Sequence, residues 1–138
     1  MQPASQFGFR EIPHTADWEL EVWAPDLESL LEQTARGMYH LTHLNLALGP
    51  RLTRKLELQF FEPEMLLVDF LTELIYFSES EKIAFDNFNL QIQGDRLIAH
   101  LSGSKIKSLA KEIKAATYHN LEIRDTGVGL VANIVFDV

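Results

Sequence analysis

At Pro25-Asp26 the hydrophobic repeat of the chain changes, and that change limits the folds open to it. Before it, Trp18, Leu20 and Val22 alternate with Glu19, Glu21 and Trp23, the pattern of a strand with one buried face. After it, Leu27, Leu30, Leu31, Thr34, Ala35, Met38 and Leu41 recur at three- and four-residue steps, a single helical stripe. Pro25 ends the strand, and the Asp26 carboxylate can accept from the free N–H groups of the first helical turn. Gly49-Pro50 is read as the stop of this helical segment. A half-buried strand running straight into an amphipathic helix calls for a sheet with that helix packed on it.

The remaining chain repeats the theme. Residues 53–61 alternate again, with Leu56, Leu58 and Phe60 opposite Lys55, Glu57 and Gln59. Pro63 stands where a first helical turn tolerates proline. From Glu64 to about Ser80, Leu67, Phe70, Leu71 and Leu74 mark a second amphipathic helix. Then "FNLQIQ" and "RLIAHLSG" read as a hairpin around Gly94-Asp95, and "EIKAATYHNLEIR" and "GLVANIVFDV" as another around Asp125-Thr126-Gly127. The expected fold is α+β: two amphipathic helices packed on a mostly antiparallel sheet. It forms a single compact domain over residues 8–138, after a flexible N-terminal tail over 1–7.

Composition removes several function classes. The 138 residues contain no cysteine, which excludes disulfides, thiolate zinc sites and cysteine nucleophiles. No apolar run is long enough to cross a bilayer, and Met1 to Gln6 has neither the basic region nor the apolar core of a signal peptide, so a cytoplasmic location is expected. The net charge of −8 disfavours strong direct binding to nucleic acid. One basic stretch, "KIKSLAKEIK", with Lys105, Lys107, Lys111 and Lys114, stands out from that background. It reads either as a solvated loop or helical turn, or as a phosphate or partner site.

Candidate chemistry is sparse. There is no glycine-rich phosphate loop and no serine in a nucleophile elbow. Asp69 and Glu73 stand one helical turn apart, as a charged flank would. His40, His43 and His100 fall within helix or strand patterns. Asp17 precedes the first strand, out of phase with Trp18, Leu20 and Val22. Asp137 is out of phase with Leu130, Ala132, Ile134 and Phe136 in the last. Both acids therefore avoid the apolar face. They are either scattered surface acids or, with the carboxylate of Val138, an all-oxygen cluster of the kind that suits Ca²⁺ or Mg²⁺. His14 and His119 could join acid–base or metal chemistry, or simply shape turns.

Four segments together carry a resemblance. "PHTADWELEVWAPDLESLLEQTARGMYHL", "MLLVDFLTELIYFSE", "EIKAATYHNLEI" and the terminal "IVFDV" resemble, in order, the archease family's opening His-Thr-Ala-Asp motif with its strand and helix, its second helix, its Lys-Ala-x-Thr-Tyr-His motif and its ending. They span nearly the whole chain from about residue 8. The resemblance implies a non-catalytic accessory protein of an RtcB-type RNA ligase, one that promotes ligase guanylylation with GTP and multiple turnover in tRNA splicing or RNA repair. It also implies a divalent cation, Ca²⁺ before Mg²⁺ or Mn²⁺, bound by Asp17, Asp137 and the C-terminal residue Val138. His14, Lys114, Tyr118 and His119 would stand near that site as partner-binding or supporting residues. One departure is the short "SKIKSLAK", where the family often carries a longer loop.

Two other functions remain open at this level. A general chaperone-like binding module for nucleic-acid-processing enzymes would be indifferent to Asp17 and Asp137. A metal-dependent hydrolase would use Asp17, Asp137 and His14, and would turn over a phosphoester unaided.

Overall fold

The computed structural model describes residues 6–13 and 17–138. Strand β1 (Gly8–Ile12) pairs antiparallel with β2 (Trp18–Ala24), and β2 leads into helix α1 (Leu27–Leu41). The change of period at Pro25-Asp26 is thus a real boundary. The Asp26 side chain caps the helix by accepting the Ser29 N–H at 2.8 Å. The helix ends much earlier than Gly49-Pro50. Thr42 is its C-cap, His43 turns the chain at a φ of 53°, and Asn45–Leu46 form the short strand β3.

Strand β4 (Leu52–Gln59) alternates as expected, with Leu52, Leu56 and Leu58 packed against the core. Helix α2 (Pro63–Ser80) begins on its proline and buries Leu67, Phe70, Leu71 and Leu74, together with Leu66, Val68 and Ile75. The hairpin around Gly94-Asp95 is longer than its alternating part. It joins β5 (Ile83–Gln93) to β6 (Arg96–Ser108), with a bulge between Phe85 and Asn87. The final pair is shorter than expected. Of the segment before the turn, only β7 (Ala115–Ala116) and β8 (Arg124–Asp125) pair with β9 (Leu130–Asp137), and residues 117–123 leave the ladder.

The strands form two sheets rather than one. In the first the order is β1-β2-β9-β7, with β8 also on β9; in the second β6 pairs with β3, β4 and β5. Both helices touch both sheets: α1 lies against β1, β2 and β5, and α2 against β4, β5 and β7. Leu20, Leu31, Phe70, Phe85, Leu97, Ile134 and Phe136 fill the core between them. This is the expected α+β architecture, a single compact domain built from two helices and mostly antiparallel sheet.

Strand β5 pairs only with β6, and α1 lies along its other edge. Glu28 accepts the Ile92 N–H at 2.8 Å, and Arg36 donates to the Asp86 carbonyl at 3.3 Å while stacking over Phe88. Side chains of the helix thus occupy backbone groups that an edge strand would otherwise leave open.

Candidate metal centre

The position of the two out-of-phase acids is set by strand register. The β2–β9 ladder runs from Ala24 opposite Leu130 to Trp18 opposite Phe136. Asp17 and Asp137 are therefore the next residues on two adjacent strands, at the same end of the five-stranded sheet. Both are exposed, while the neighbouring Leu20, Ile134 and Phe136 are buried. No ion pair among the described residues engages either carboxylate.

Strand β7 brings a third chain segment to this end. Ala115 is opposite Asp137, and the Lys114 N–H donates to the Asp137 carbonyl at 2.8 Å. Asp137 is thus flanked by Asp17 on one side and by the Lys114–Ala115 segment on the other. Val138 comes directly after it, half-buried and packed against the core. Asp17, Asp137 and Val138 thus lie at one end of the five-stranded sheet, next to the Lys114–Ala115 segment.

The remaining sequence candidates fall elsewhere. His14 lies outside the described residues. Thr117, opposite Val135, holds β7's continuation through its N–H and hydroxyl, both donating to the Val135 carbonyl at 3.0 and 2.9 Å. Beyond it Tyr118 is 54% exposed. Partial burial raises the pKa of its phenol, and the negative charges of Asp69 and Glu62 raise it further. Tyr118 therefore stands in the field of α2's acids. The His119 N–H donates to Thr117 Oγ1 at 3.3 Å, and its ring meets the Asn120 amide.

The chemistry of the donors decides which cation they suit. Asp17, Asp137 and the Val138 carboxylate offer oxygen only, the preference of Ca²⁺ and Mg²⁺ over soft or borderline metals. No group of three His, Cys, Asp or Glu side chains gathers in metal-holding geometry among the described residues. An oxygen-only set of this kind fits a hard divalent ion.

The sequence carries no signal for a second feature, a hollow of about 270 Å³ between the C-terminal ends of the two helices and the segment after β6. Its lining comes from three separate parts of the chain, so no local pattern marks it.

Comparison with known proteins gives this geometry its context. The family model described as the archease protein family matches residues 9–138. The archease of Methanosarcina barkeri is 32% identical over 94% of this chain and 95% of its own length. That of Methanothermobacter thermautotrophicus is 28% identical, over 95% and 99%. Among solved structures, an archease from Thermotoga maritima, described as a possible chaperone, superposes with a TM-score of 0.71 at 26% identity, covering 94% of this chain and 96% of that one. The solution structure of a Methanobacterium thermoautotrophicum protein gives 0.73, also at 26% identity, over 95% and 99%. With a family model matched from the second strand residue of β1 to Val138 and a fold shared with solved members, the chain belongs to the archease family.

Proposed function

We propose that this protein is a non-catalytic activator of an RtcB-type RNA ligase, acting through a cation held at the end of the five-stranded sheet. The observation that supports the proposal is the β2–β9 register, which puts Asp17 and Asp137 next in line at the same end of two adjacent strands in a chain of the archease family. Asp17, Asp137 and the Val138 carboxylate would hold the ion, with Ca²⁺ favoured and Mg²⁺ or Mn²⁺ as alternatives. Bound there, it supplies concentrated positive charge to an acidic tip. The chain's own contribution is placement: the Lys114–Asp137 backbone bond and the packed Val138 hold the backbone of the last strand at the sheet end. An activator raises a rate only by favouring the competent arrangement of its partner over the resting one.

A second reading is a chaperone-like module, favoured by the description of the T. maritima relative as a possible chaperone. RNA joining by a limiting amount of the same organism's RtcB-type ligase, with GTP and Mn²⁺, separates the two. Many turnovers with the wild-type protein and few with Asp17→Ala support the activator. Equal help from both proteins, extended to unrelated aggregation-prone clients, supports the chaperone.

A further inference from the structure

Helix α2 and its caps carry charge of one sign. From Glu62 to Glu81 there are six acids, Glu62, Glu64, Asp69, Glu73, Glu79 and Glu81, and no Lys, Arg or His, in a chain of net charge −8. Two of the six have partners inside the fold: Glu64 accepts the Ile123 N–H at 2.9 Å, and Glu81 pairs with Arg54 at 2.6 Å. No ion pair among the described residues engages the other four. Helix stability does not account for them. Asp69 and Glu73 are like charges one turn apart, and Glu79 stands in the last turn, where the helix dipole favours a cation.

Three of these acids share the face that α2 turns away from the core. Leu66, Leu67, Phe70, Leu71 and Leu74 are buried. On the opposite side, steps of three and four residues put Glu62, Met65, Asp69, Glu73 and Tyr76 in one stripe, each of them exposed or half-exposed. Tyr118 stands beside that stripe, in the segment that the Ile123–Glu64 bond fastens to the helix. After partial burial, the influences on its phenol are Asp69 and then Glu62, two carboxylates two turns apart. The Tyr118 ring therefore lies along the first turns of α2, half-exposed and in a field that only acids set up. An aromatic face with carboxylates beside it is a place for a cation.

We propose that this face of α2 is a docking surface for a basic segment of a partner protein, whose Lys or Arg residues meet Glu62, Asp69 and Glu73 and set one cation over the Tyr118 ring. Two features select this occupant. A nucleic acid is repelled by a stripe of acids, and a purely apolar partner would leave the carboxylates without counter-charges. A bare metal ion would make no use of Tyr118, Met65 and Tyr76. A basic segment with apolar residues between its cations matches both charge and surface. The chain has such a stretch of its own at residues 105–114, but a copy docked through it would meet its neighbour head to tail and assemble into rings or filaments. The surface does not depend on the candidate cation centre, and neither the ligase nor a metal is needed to test it.

The experiment is selection from phage-displayed random peptides on the full-length protein, with Asp69→Asn/Glu73→Gln as the counter-selection target. The expected winners place Lys or Arg around apolar residues and bind that variant on the order of tenfold more weakly. They bind Tyr118→Leu roughly fivefold more weakly and Tyr118→Phe as well as the wild type, because the phenylalanine ring keeps the face that a cation needs. Glu11→Gln/Asp95→Asn removes the same charge from exposed sites on β1 and the β5–β6 turn, and it should leave their binding unchanged. Circular dichroism of each variant confirms the fold. Equal losses in this control and in the α2 variant overturn the proposal, since they show attraction to net charge alone. So does failure to enrich any basic sequence. Self-association of the wild type in sedimentation velocity, abolished by Asp69→Asn/Glu73→Gln, overturns it in favour of a second copy as the occupant. Calorimetric Ca²⁺ binding that the same variant loses and Asp17→Ala keeps overturns it in favour of a metal ion.

Discussion

The Lys114 N–H donates to the Asp137 carbonyl at 2.8 Å, which ties the segment after β6 to the penultimate residue of the chain. Through this bond the end of β9 has a neighbour on each side, β2 and β7, up to the point where its carboxylates begin. The position of the candidate centre is therefore set by two ladders and not by a loop.

The chain end offers a direct test of the ligand set. Adding a few Gly-Ser residues after Val138 converts its carboxylate to an amide while leaving the packed side chain in place. Titration calorimetry should record Ca²⁺ affinity reduced by on the order of tenfold or more, as for Asp17→Ala and Asp137→Asn. Unchanged isotherms for all three proteins would rule out the proposed ligands.

Two glycines should behave differently when replaced by alanine. At Gly103 a Cβ would lie 1.8 Å from the Ala84 carbonyl oxygen, and backbone in the middle of paired strands cannot step aside. Gly103→Ala should cost about 3 kcal/mol or more in urea unfolding. At Gly37 the clash is 2.3 Å with Leu20 Cδ2, the end of a side chain, and alanine recovers about 1 kcal/mol of helix propensity there. Gly37→Ala should be the milder change, and the reverse order would contradict this account.

Asp26→Ala removes the acceptor for the Ser29 N–H at the start of α1. A loss of about 1 kcal/mol is expected, with the m-value unchanged. Asp26→Ser should restore most of it.

Asp86, at the β5 bulge, faces the Arg51 guanidinium. Hydrogen bonds from Arg51 hold its carboxyl below the usual range, against the opposing pull of partial burial and with further help from the positive charge of Arg51. The folded pKa is thus below the unfolded one. The contribution is fully present above the unfolded value of about 3.9 and disappears as pH falls through the lower folded value. The gap in urea midpoint between the wild type and Asp86→Asn should be constant near neutral pH and close below about pH 4. Because both side chains are about half exposed, the gap is small and should narrow further in high salt. A gap that persists at pH 2 would show that Asp86 acts by some other means.

How much of this the sequence displays depends on whether a signal is local. The start of α1 is plain because Asp26 and the change of period coincide. Its end is hidden because His43, not glycine, adopts the positive φ that turns the chain. The first residues of β5 are hidden for another reason. Ile83, Ala84 and Phe85 are all buried, so they show no alternation, and the bulge before Asn87 shifts the phase of the rest of the strand. The exposure of Asp17 and Asp137 can be read from strand phase. Their adjacency cannot, since it depends on the pairing of residues at opposite ends of the chain. The lysine segment reads as a loop or a helical turn because its anchors, Lys82, Thr42 and Asp137, are remote in sequence.

The edge of β5 has a consequence for behaviour in concentrated solution. An eleven-residue strand with an open side is a template on which a second molecule can add itself, and growth by that route has no natural end. Glu28 and Arg36 occupy two points along that side. They engage the Ile92 N–H and the Asp86 carbonyl while remaining anchored to a helix that cannot propagate a sheet. The same two side chains that fasten α1 in place should therefore disfavour the addition of a second molecule along this edge. Light scattering on a Glu28→Ala/Arg36→Ala variant should detect large assemblies at concentrations where the wild type remains dispersed.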